Sequence, residues 1–297
     1  MDEFKVIKGN DLGRIVERDI FNRLCSIRDD SLRISHWIEK LKTSTNHENS
    51  PFSTTSRIPF AIRFGNRRCG SWYTLSHDSV SNTYSRSLDW THFKSTDGHS
   101  AYNLGTFSLS RLNLQLIQSL GNPLTRHSAV IIDATRRGKI CPDSLTRTLP
   151  VFLSVIDCLR VEFSLLDSKF AQESILMKKF PQCVSQSELS QIFAWIPKWK
   201  HDLISSIGRE RLLNWLKSEL ESVQGPILID WLSSNGNALW NSMDDEEIHQ
   251  FMLDAQLELH KVPFVYAISA SNVVQSHHQT HIASGICTCT PFDTSAG

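Results

Sequence analysis

Residues 128–139 read Ser-Ala-Val-Ile-Ile-Asp-Ala-Thr-Arg-Arg-Gly-Lys, and this segment says most about the architecture. Its apolar run, Ala129–Ile132, is uninterrupted, which is typical of a strand buried on both faces. A loop rich in cations follows, and Pro142 then suits the first turn of a helix. In an α/β fold, ligands bind outside the carboxyl ends of the strands. The segment therefore predicts a buried strand with a ligand site directly after it.

The flanking sequence predicts strands and helices in alternation. Apolar runs predict buried strands at 226–232 and 263–268, and two short strands at 58–64 and 71–75 around a Gly65-Asn66 turn. Helical spacing predicts helices at 11–28, 31–42, 112–120, 150–163, 186–196, 200–223 and 244–259. We predict an α/β fold with a mixed sheet flanked by helices. Residues 1–271 are expected to form one domain, and residues 272–297 an irregular C-terminal tail.

Composition and charge exclude several classes of protein. No apolar run is long enough to span a bilayer, so we predict no membrane partner. Seven cysteines at irregular spacing argue against a disulfide framework and favour a reducing compartment, which the cytosol and the nucleus both provide; of these we predict the cytoplasm. Net charge is zero, but residues 51–150 hold twelve Lys or Arg against five Asp or Glu. A local excess of cations suits a phosphate-rich partner, although an exposed basic face without a partner gives the same count.

Two further segments concentrate cations and small polar groups. Residues 57–69 contain four arginines and no acid, and an arginine fork binds phosphate through two hydrogen bonds. The adjacent Trp72 and Tyr73 could stack on a base, or could alternate between the core and the surface of a strand. Residues 92–99, His-Phe-Lys-Ser-Thr-Asp-Gly-His, bring together groups that bind phosphate or move protons. Asp97-Gly98 alone is also an ordinary turn signal.

The sequence contains no standard metal or nucleotide motif. His277, His278 and His281 precede Cys287 and Cys289, but their spacing fits no zinc pattern, so we predict no protein-bound metal. The loop before Lys139 lacks the glycine spacing of a Walker phosphate loop.

Taken in order, the motifs resemble the initiator-tRNA phosphoribosyl transferases, also called tRNA 2′-O-ribosylphosphate transferases. The resemblance is strongest at residues 132–139 (Ile-Asp-Ala-Thr-Arg-Arg-Gly-Lys) with 142–145 (Pro-Asp-Ser-Leu). It also rests on 68–73 (Arg-Cys-Gly-Ser-Trp-Tyr), 93–99 (Phe-Lys-Ser-Thr-Asp-Gly-His) and 107–114 (Phe-Ser-Leu-Ser-Arg-Leu-Asn-Leu). Residues 266–271 are similar more loosely. Several motifs in the right order are more specific than any one of them.

The resemblance implies an enzyme that transfers phosphoribosyl from 5-phosphoribosyl 1-diphosphate to a ribose 2′-hydroxyl in the T-stem of initiator methionine tRNA. The added group reserves that tRNA for initiation and keeps it from elongation. The expected partners are the initiator tRNA and the small-molecule donor. We expect Mg²⁺ to accompany the donor diphosphate.

Three groups of residues are predicted to form the site. The predicted ligands of the donor are Asp133, Arg136, Arg137 and Lys139. The predicted groups of the transfer site are Lys94, Asp97 and His99. The predicted contacts to the tRNA backbone are Arg63, Arg67 and Arg68.

Members of the family continue into a C-terminal domain that resembles dual-specificity phosphatases and carries a Cys-x-x-Gly-Lys-Asp phosphate loop. No stretch of this sequence matches that loop. One hypothesis is therefore phosphoribosyl transfer by this chain or by a longer form of it. Another is a tRNA-binding fragment or isoform without activity. A third, an α/β enzyme acting on a small phosphorylated molecule, requires that tRNA binding be absent.

Overall fold

A five-stranded parallel sheet forms the centre of the computed structural model, which describes residues 9–43, 57–58, 60–67, 70–73, 89–94, 107–108, 110–134, 141–233 and 245–270. The strands are β1 (Ile62–Asn66), β2 (Asp89–Thr91), β3 (Ser128–Asp133), β4 (Leu228–Ser233) and β5 (Phe264–Ser269). Their order across the sheet is β2-β1-β3-β5-β4, and every neighbouring pair is parallel.

Helices cover both faces of the sheet. In the described part of the chain they are α1 (Gly9–Thr43), α2 (Leu114–Gly121), α3 (Leu149–Glu162), α4 (Glu173–Met177), α5 (Gln186–Ile207), α6 (Arg209–Leu220) and α7 (Asp245–Asp254). Helices α2 to α6 pack on one face, which we call the first face, and α1 and α7 pack on the second face. Every residue of β3 and β5 is buried, as a sheet covered on both faces requires.

The α/β class is confirmed, with helices flanking the sheet, but the described strands are all parallel and do not form a mixed sheet. Residues 71–73, which belong to the strand predicted at 71–75, lie in the 3-10 helix Gly70–Tyr73. Gly65 and Asn66, expected to form a turn, are the last two residues of β1. The Gly-Asn pair and the adjacent Trp72 and Tyr73 therefore misled the prediction of a turn with a second short strand after it.

Two helices continue where the sequence predicted a break. The sequence predicted separate helices at 11–28 and 31–42, yet α1 runs on without a break; within it Asp30 pairs with Arg33, and the Ser31 hydroxyl donates to the Tyr73 carbonyl at 3.4 Å. The helix predicted at 186–196 stops before Pro197, yet α5 runs through that residue. Pro197 lies on the exposed side of α5, where water can satisfy the carbonyl that loses its partner.

A fully buried ion network attaches α3 to the chain that enters β4. The Asp157 carboxylate accepts from Arg160 at 2.9 Å, from Lys179 at 2.8 Å and from the backbone N–H of Ile227 at 2.8 Å. Arg160 also donates to the Gly225 carbonyl at 3.0 Å. One carboxylate therefore serves two buried cations and fixes the start of β4 at the amino-terminal edge of the sheet.

None of the helices in the described ranges is both long and apolar enough to cross a membrane.

Candidate functional site

The strands end together at one edge of the sheet. The pairing places Thr91, Asn66, Asp133, Ser269 and Ser233 in one row across β2, β1, β3, β5 and β4. β2 and β3 lie on opposite sides of β1, so the chain leaves β1 in one direction along the sheet and then returns to its other side. The direction of winding therefore reverses between β1 and β3. In open α/β sheets, the crevice at such a reversal is where ligands bind.

The Asn66 side chain joins the ends of three strands at this reversal. Its Oδ1 accepts from the backbone N–H of Phe93 at 2.9 Å. Its Nδ2 donates to the Phe93 carbonyl at 2.9 Å and to Oδ2 of Asp133 at 2.6 Å. Because Asn66 is fully buried and all of these partners are protein groups, its amide fixes the exit of β2 against the end of β3.

The start of the helical segment after β3 completes the same cluster. Ser144 donates its hydroxyl proton to Oδ2 of Asp133 at 2.5 Å, and the backbone N–H of Ala134 donates to Oδ1 at 2.8 Å. Four residues later, the Thr148 hydroxyl donates to the Lys94 carbonyl at 2.8 Å. Ser144 and Thr148 begin and end one π-helical turn, Ser144–Thr148, that leads into α3. This turn thus holds both Asp133 and the backbone of Lys94.

Gly70 allows the segment after β1 to lie directly on the end of β3. A Cβ atom at this position would fall 1.8 Å from the Ile132 carbonyl oxygen, 2.8 Å from its carbon and 3.3 Å from the Asp133 Cα. These neighbours belong to the backbone of a central strand and cannot move aside. The 3-10 helix Gly70–Tyr73 therefore lies against the end of β3, and its Tyr73 packs on the apolar cluster of the second face.

We expect Gly70→Ala to destabilise the protein by about 3 kcal/mol, because a methyl group forced against a buried strand costs as much as severe overpacking. The measurement is the midpoint of urea unfolding followed by circular dichroism. Ser190→Ala, on the exposed surface of α5, is the control and should change stability by less than about 0.5 kcal/mol. Equal midpoints for Gly70→Ala and the native chain would contradict the close approach.

The structure places the predicted site residues unequally. Asp133 is buried at the end of β3, and Lys94 is exposed just beyond β2. Arg67 is exposed directly after β1, and its backbone N–H donates to the Thr91 carbonyl at 2.9 Å. These three positions lie at the carboxyl edge, where the sequence predicted the segment of Asp133 to be. Arg63 lies away from that edge, because it pairs in register with Val130 in the middle of the sheet. Its side chain is half-buried on the second face.

The remaining predicted site residues lie outside the described residues. They are Arg68, Asp97, His99, Arg136, Arg137 and Lys139. Their roles stay predictions.

Not every cation of residues 51–150 is available to a ligand. Arg57 is buried at the amino-terminal edge, donating to the Val262 carbonyl at 2.5 Å and stacking on Phe264. Arg126 stacks on the Phe60 ring at 3.6 Å. Arg147 pairs with Glu188 at 2.6 Å and Asp143 at 3.1 Å, which ties the start of α3 to α5. The local excess of positive charge therefore overstates the basic surface.

Cys141 borders the same edge but does not suit covalent catalysis. The residue is buried, and that burial raises the pKa of its thiol well above the ordinary range. A protonated thiol is a poor nucleophile. We therefore assign no chemical step to Cys141.

Sequence reasoning missed the residues that organise this edge. Asn66 was taken for part of a turn, Ser144 was noted only as part of the motif at 142–145, and Thr148 was not considered. The available signal was that the polar side chains of Asn66 and Asp133 each follow an apolar strand. Such side chains meet when the strands are neighbours in a parallel sheet.

The comparisons agree with the motifs. A family model described as the Rit1 N-terminal domain matches residues 14–287. The tRNA A64-2'-O-ribosylphosphate transferase of Saccharomyces cerevisiae is 29% identical over 180 residues, which are 60% of this chain and 31% of that protein. An uncharacterized protein of Schizosaccharomyces pombe is 30% identical over 139 residues, or 47% of this chain and 28% of that protein.

This chain spans about three tenths of the length of these curated relatives. No solved structure matches it. The resemblance noted from the motifs is nevertheless confirmed. Because the family model covers most of the sequence, the chain belongs to the Rit1 N-terminal domain family.

Proposed function

We propose that this chain takes part in tRNA modification, as the N-terminal part of a phosphoribosyl transferase that acts on initiator methionine tRNA. The observation that carries the proposal is the meeting of the predicted segments at the β1–β3 reversal. Asn66 joins the end of β1, the backbone of Phe93 and Asp133, although these residues lie far apart in the sequence. The name of the yeast relative gives the chemistry, a 2′-O-ribosylphosphate on a tRNA adenosine.

The proposed reaction is a glycosyl transfer. The bond between C1 of the donor ribose and its diphosphate breaks, and the diphosphate leaves with the bonding electrons. A bond forms between C1 and the 2′-oxygen of the acceptor ribose, whose proton passes to a base. Positive charge develops on the ribose in the transition state, as in other glycosyl transfers. The site must therefore hold the diphosphate, orient the hydroxyl and accept one proton.

The described residues suit the positioning part of this reaction. Lys94 presents an exposed ammonium on a backbone held by Thr148 and, through Phe93, by Asn66. A fixed backbone limits the motion of the cation and lowers the entropy lost when it binds an anion. We assign to Lys94 a contact with the phosphoribosyl group during transfer. Asp97 and His99 are the proposed proton acceptors, and Arg136, Arg137 and Lys139 the proposed ligands of the diphosphate.

The geometry of Asp133 bears on the expected magnesium ion. Mg²⁺ in such sites usually binds one or two carboxylates together with substrate phosphates. Both oxygens of Asp133 already accept hydrogen bonds within the protein. Among the residues that the structure describes, no three His, Cys, Asp or Glu side chains are grouped to hold a metal ion. We therefore keep Mg²⁺ as an ion that is proposed to arrive with the donor diphosphate, and we assign no step to it. Asp133 instead orders the crevice.

The test is the transfer of labelled phosphoribosyl to purified initiator tRNA, with elongator methionine tRNA as the control acceptor. We expect label on the initiator tRNA alone. The variants Arg136→Ala and Arg137→Ala should each reduce transfer at least tenfold, since each removes a charge-assisted bond to phosphate, while tRNA affinity is kept. The control Arg209→Ala removes an exposed arginine beside the end of α3 and should leave transfer unchanged.

Other outcomes would change the proposal. Binding of initiator tRNA without transfer of label would identify this chain as a tRNA-binding module. Weaker tRNA binding by Arg136→Ala, together with a shallower dependence on salt, would move that arginine from the donor site to the RNA contact surface. If the chain showed neither tRNA binding nor transfer of label, the proposed function would be contradicted.

A further inference from the structure

A cleft of about 340 Å³ lies beside β2, the edge strand, separate from the Asn66–Asp133 cluster. We call it the β2 cleft and define it by Arg67, Trp90, Thr91, Arg111, Asn113 and Leu114. Its volume falls in the range of small-molecule sites, about 300–1,000 Å³. The cleft joins the end of β2 to the start of α2.

Hydrogen bonds fix the walls of the β2 cleft. The backbone N–H of Arg67 donates to the Thr91 carbonyl at 2.9 Å. The Asn113 side chain accepts from the backbone N–H of His92 at 2.7 Å and donates to the Arg111 carbonyl at 3.1 Å. Asn113 adopts a left-handed conformation, with φ 44°, to do so. Two arginines thus line a cleft whose walls are held by hydrogen bonds within the protein.

Thr91 supplies an independent sign of a ligand. It is 1% exposed and lines the cleft, and its hydroxyl has no hydrogen-bond partner in the described part of the protein. A buried hydroxyl without a partner is costly, and such groups usually have a functional explanation. A phosphate oxygen in the cleft would accept its proton.

The start of α2 adds to the same positive field. Asn113 is the N-cap residue of α2, yet its side chain makes no capping bond, because its oxygen accepts from His92. Leu114 and Gln115, the first residues of α2, both line the cleft. The amino-terminal end of a helix favours anions. With Arg67 and Arg111 against Asp89, the cleft carries a net positive charge.

We propose that the β2 cleft binds a backbone phosphate of the RNA, with Arg67, Arg111 and the Thr91 hydroxyl as its ligands. This inference rests on the proposed function, since the RNA is the tRNA acceptor. The free phosphorylated donor offers the same chemistry, but two features favour a polymer. The cleft is at the outer edge of the sheet, and Trp90, 39% exposed, lies beside it and can pack on a nucleoside.

The experiment measures initiator-tRNA affinity against salt concentration for the native chain, Arg111→Ala and Thr91→Val. Arg111→Ala should weaken binding about tenfold, as the loss of a charged hydrogen bond does, and reduce the salt slope by about 1. Thr91→Val keeps the shape of the side chain. It should weaken binding about fivefold without lowering the unfolding midpoint, because its hydroxyl has no protein partner to lose. Arg209→Ala is the control and should keep the slope of the native chain.

A second arm measures binding of 5-phosphoribosyl 1-diphosphate to the same variants. Weaker donor binding with an unchanged tRNA slope would assign the cleft to the donor and overturn the inference. Unchanged tRNA affinity in both variants and an unchanged slope for Arg111→Ala, with transfer of label intact, would overturn the assignment of the cleft and leave the proposed reaction standing. If the native chain transferred no label but both variants weakened tRNA binding, the proposed reaction would be contradicted and the assignment of the cleft to an RNA phosphate would stand. A native chain that binds no RNA would overturn the assignment of the cleft.

Discussion

Asn66→Ala is expected to destabilise the protein by roughly 3–5 kcal/mol, because it leaves two buried polar groups without the partner that Asn66 supplies, at about 1–3 kcal/mol each. The groups are the N–H and carbonyl of Phe93, and Oδ2 of Asp133 also loses one of its bonds but keeps the one from Ser144. Since these bonds fix the exit of β2, the proposed phosphoribosyl transfer should decrease at least in proportion to the loss of folded protein. The measurements are urea unfolding followed by tryptophan fluorescence, and transfer assayed at a temperature where the variant remains folded.

Asn66→Asp tests the same geometry through its pH dependence. The new carboxylate would lie against Asp133, so one of the two acids must take up a proton in the folded state. An acid that binds its proton more tightly when folded makes the protein more stable as pH falls. The free energy of unfolding of this variant should therefore come closer to that of the native chain as the pH falls from 7 to 5. Asn122→Ala, which removes one bond to the exposed N–H of Leu124, should cost only about 1 kcal/mol. A deficit for Asn66→Asp that does not change with pH would contradict the contact with Asp133.

Asp157→Ala is expected to cost about 3–5 kcal/mol, since removal of one partner from a buried ion pair leaves charge without compensation. Here two cations, Arg160 and Lys179, would lose their shared carboxylate, and the N–H of Ile227 would lose its acceptor. The expected result is a large fall in the unfolding midpoint, measured in urea. The proposed transfer should fall only as far as the folded fraction falls, because this network lies at the edge of the sheet opposite Asp133.

Two variants show whether that effect comes from buried charge. Lys179→Met removes one cation but leaves Asp157 paired with Arg160, so its cost should be clearly smaller than that of Asp157→Ala. Asp202→Ala breaks the exposed pair with Lys198 and should cost less than about 1 kcal/mol. Similar midpoints for Asp157→Ala and Asp202→Ala would show that the buried network contributes little to stability.

The parts of the fold that were predicted are those with strong local signals. β3 and β5 are continuous apolar runs, so their burial on both faces could be predicted from composition alone. β2 was missed because three residues show no period. The continuity of α1 and α5 depends on what Asp30 contacts and on which side Pro197 faces, and neither is written in the local sequence.

The site was predicted by location more than by contacts. The position of Asp133 at a strand end predicted a crevice there, and the strand order places the winding reversal at that point. The three hydrogen bonds of Asn66 could not be predicted, since they require β1 to pair with both β2 and β3. Asn followed by two arginines resembles a polar turn until the register is known.

The order of the strands determines when the molecule can fold during synthesis. β5 lies between β3 and β4, yet it is the last of the five described strands to be made. Within the described sheet, a nascent chain that has reached Ser233 has an open flank on β3 and no neighbour for β4. Unpaired strand edges of this kind attract other chains, and chaperones protect them. The ribosome must therefore deliver residues up to Ser269 before the sheet can close around its centre.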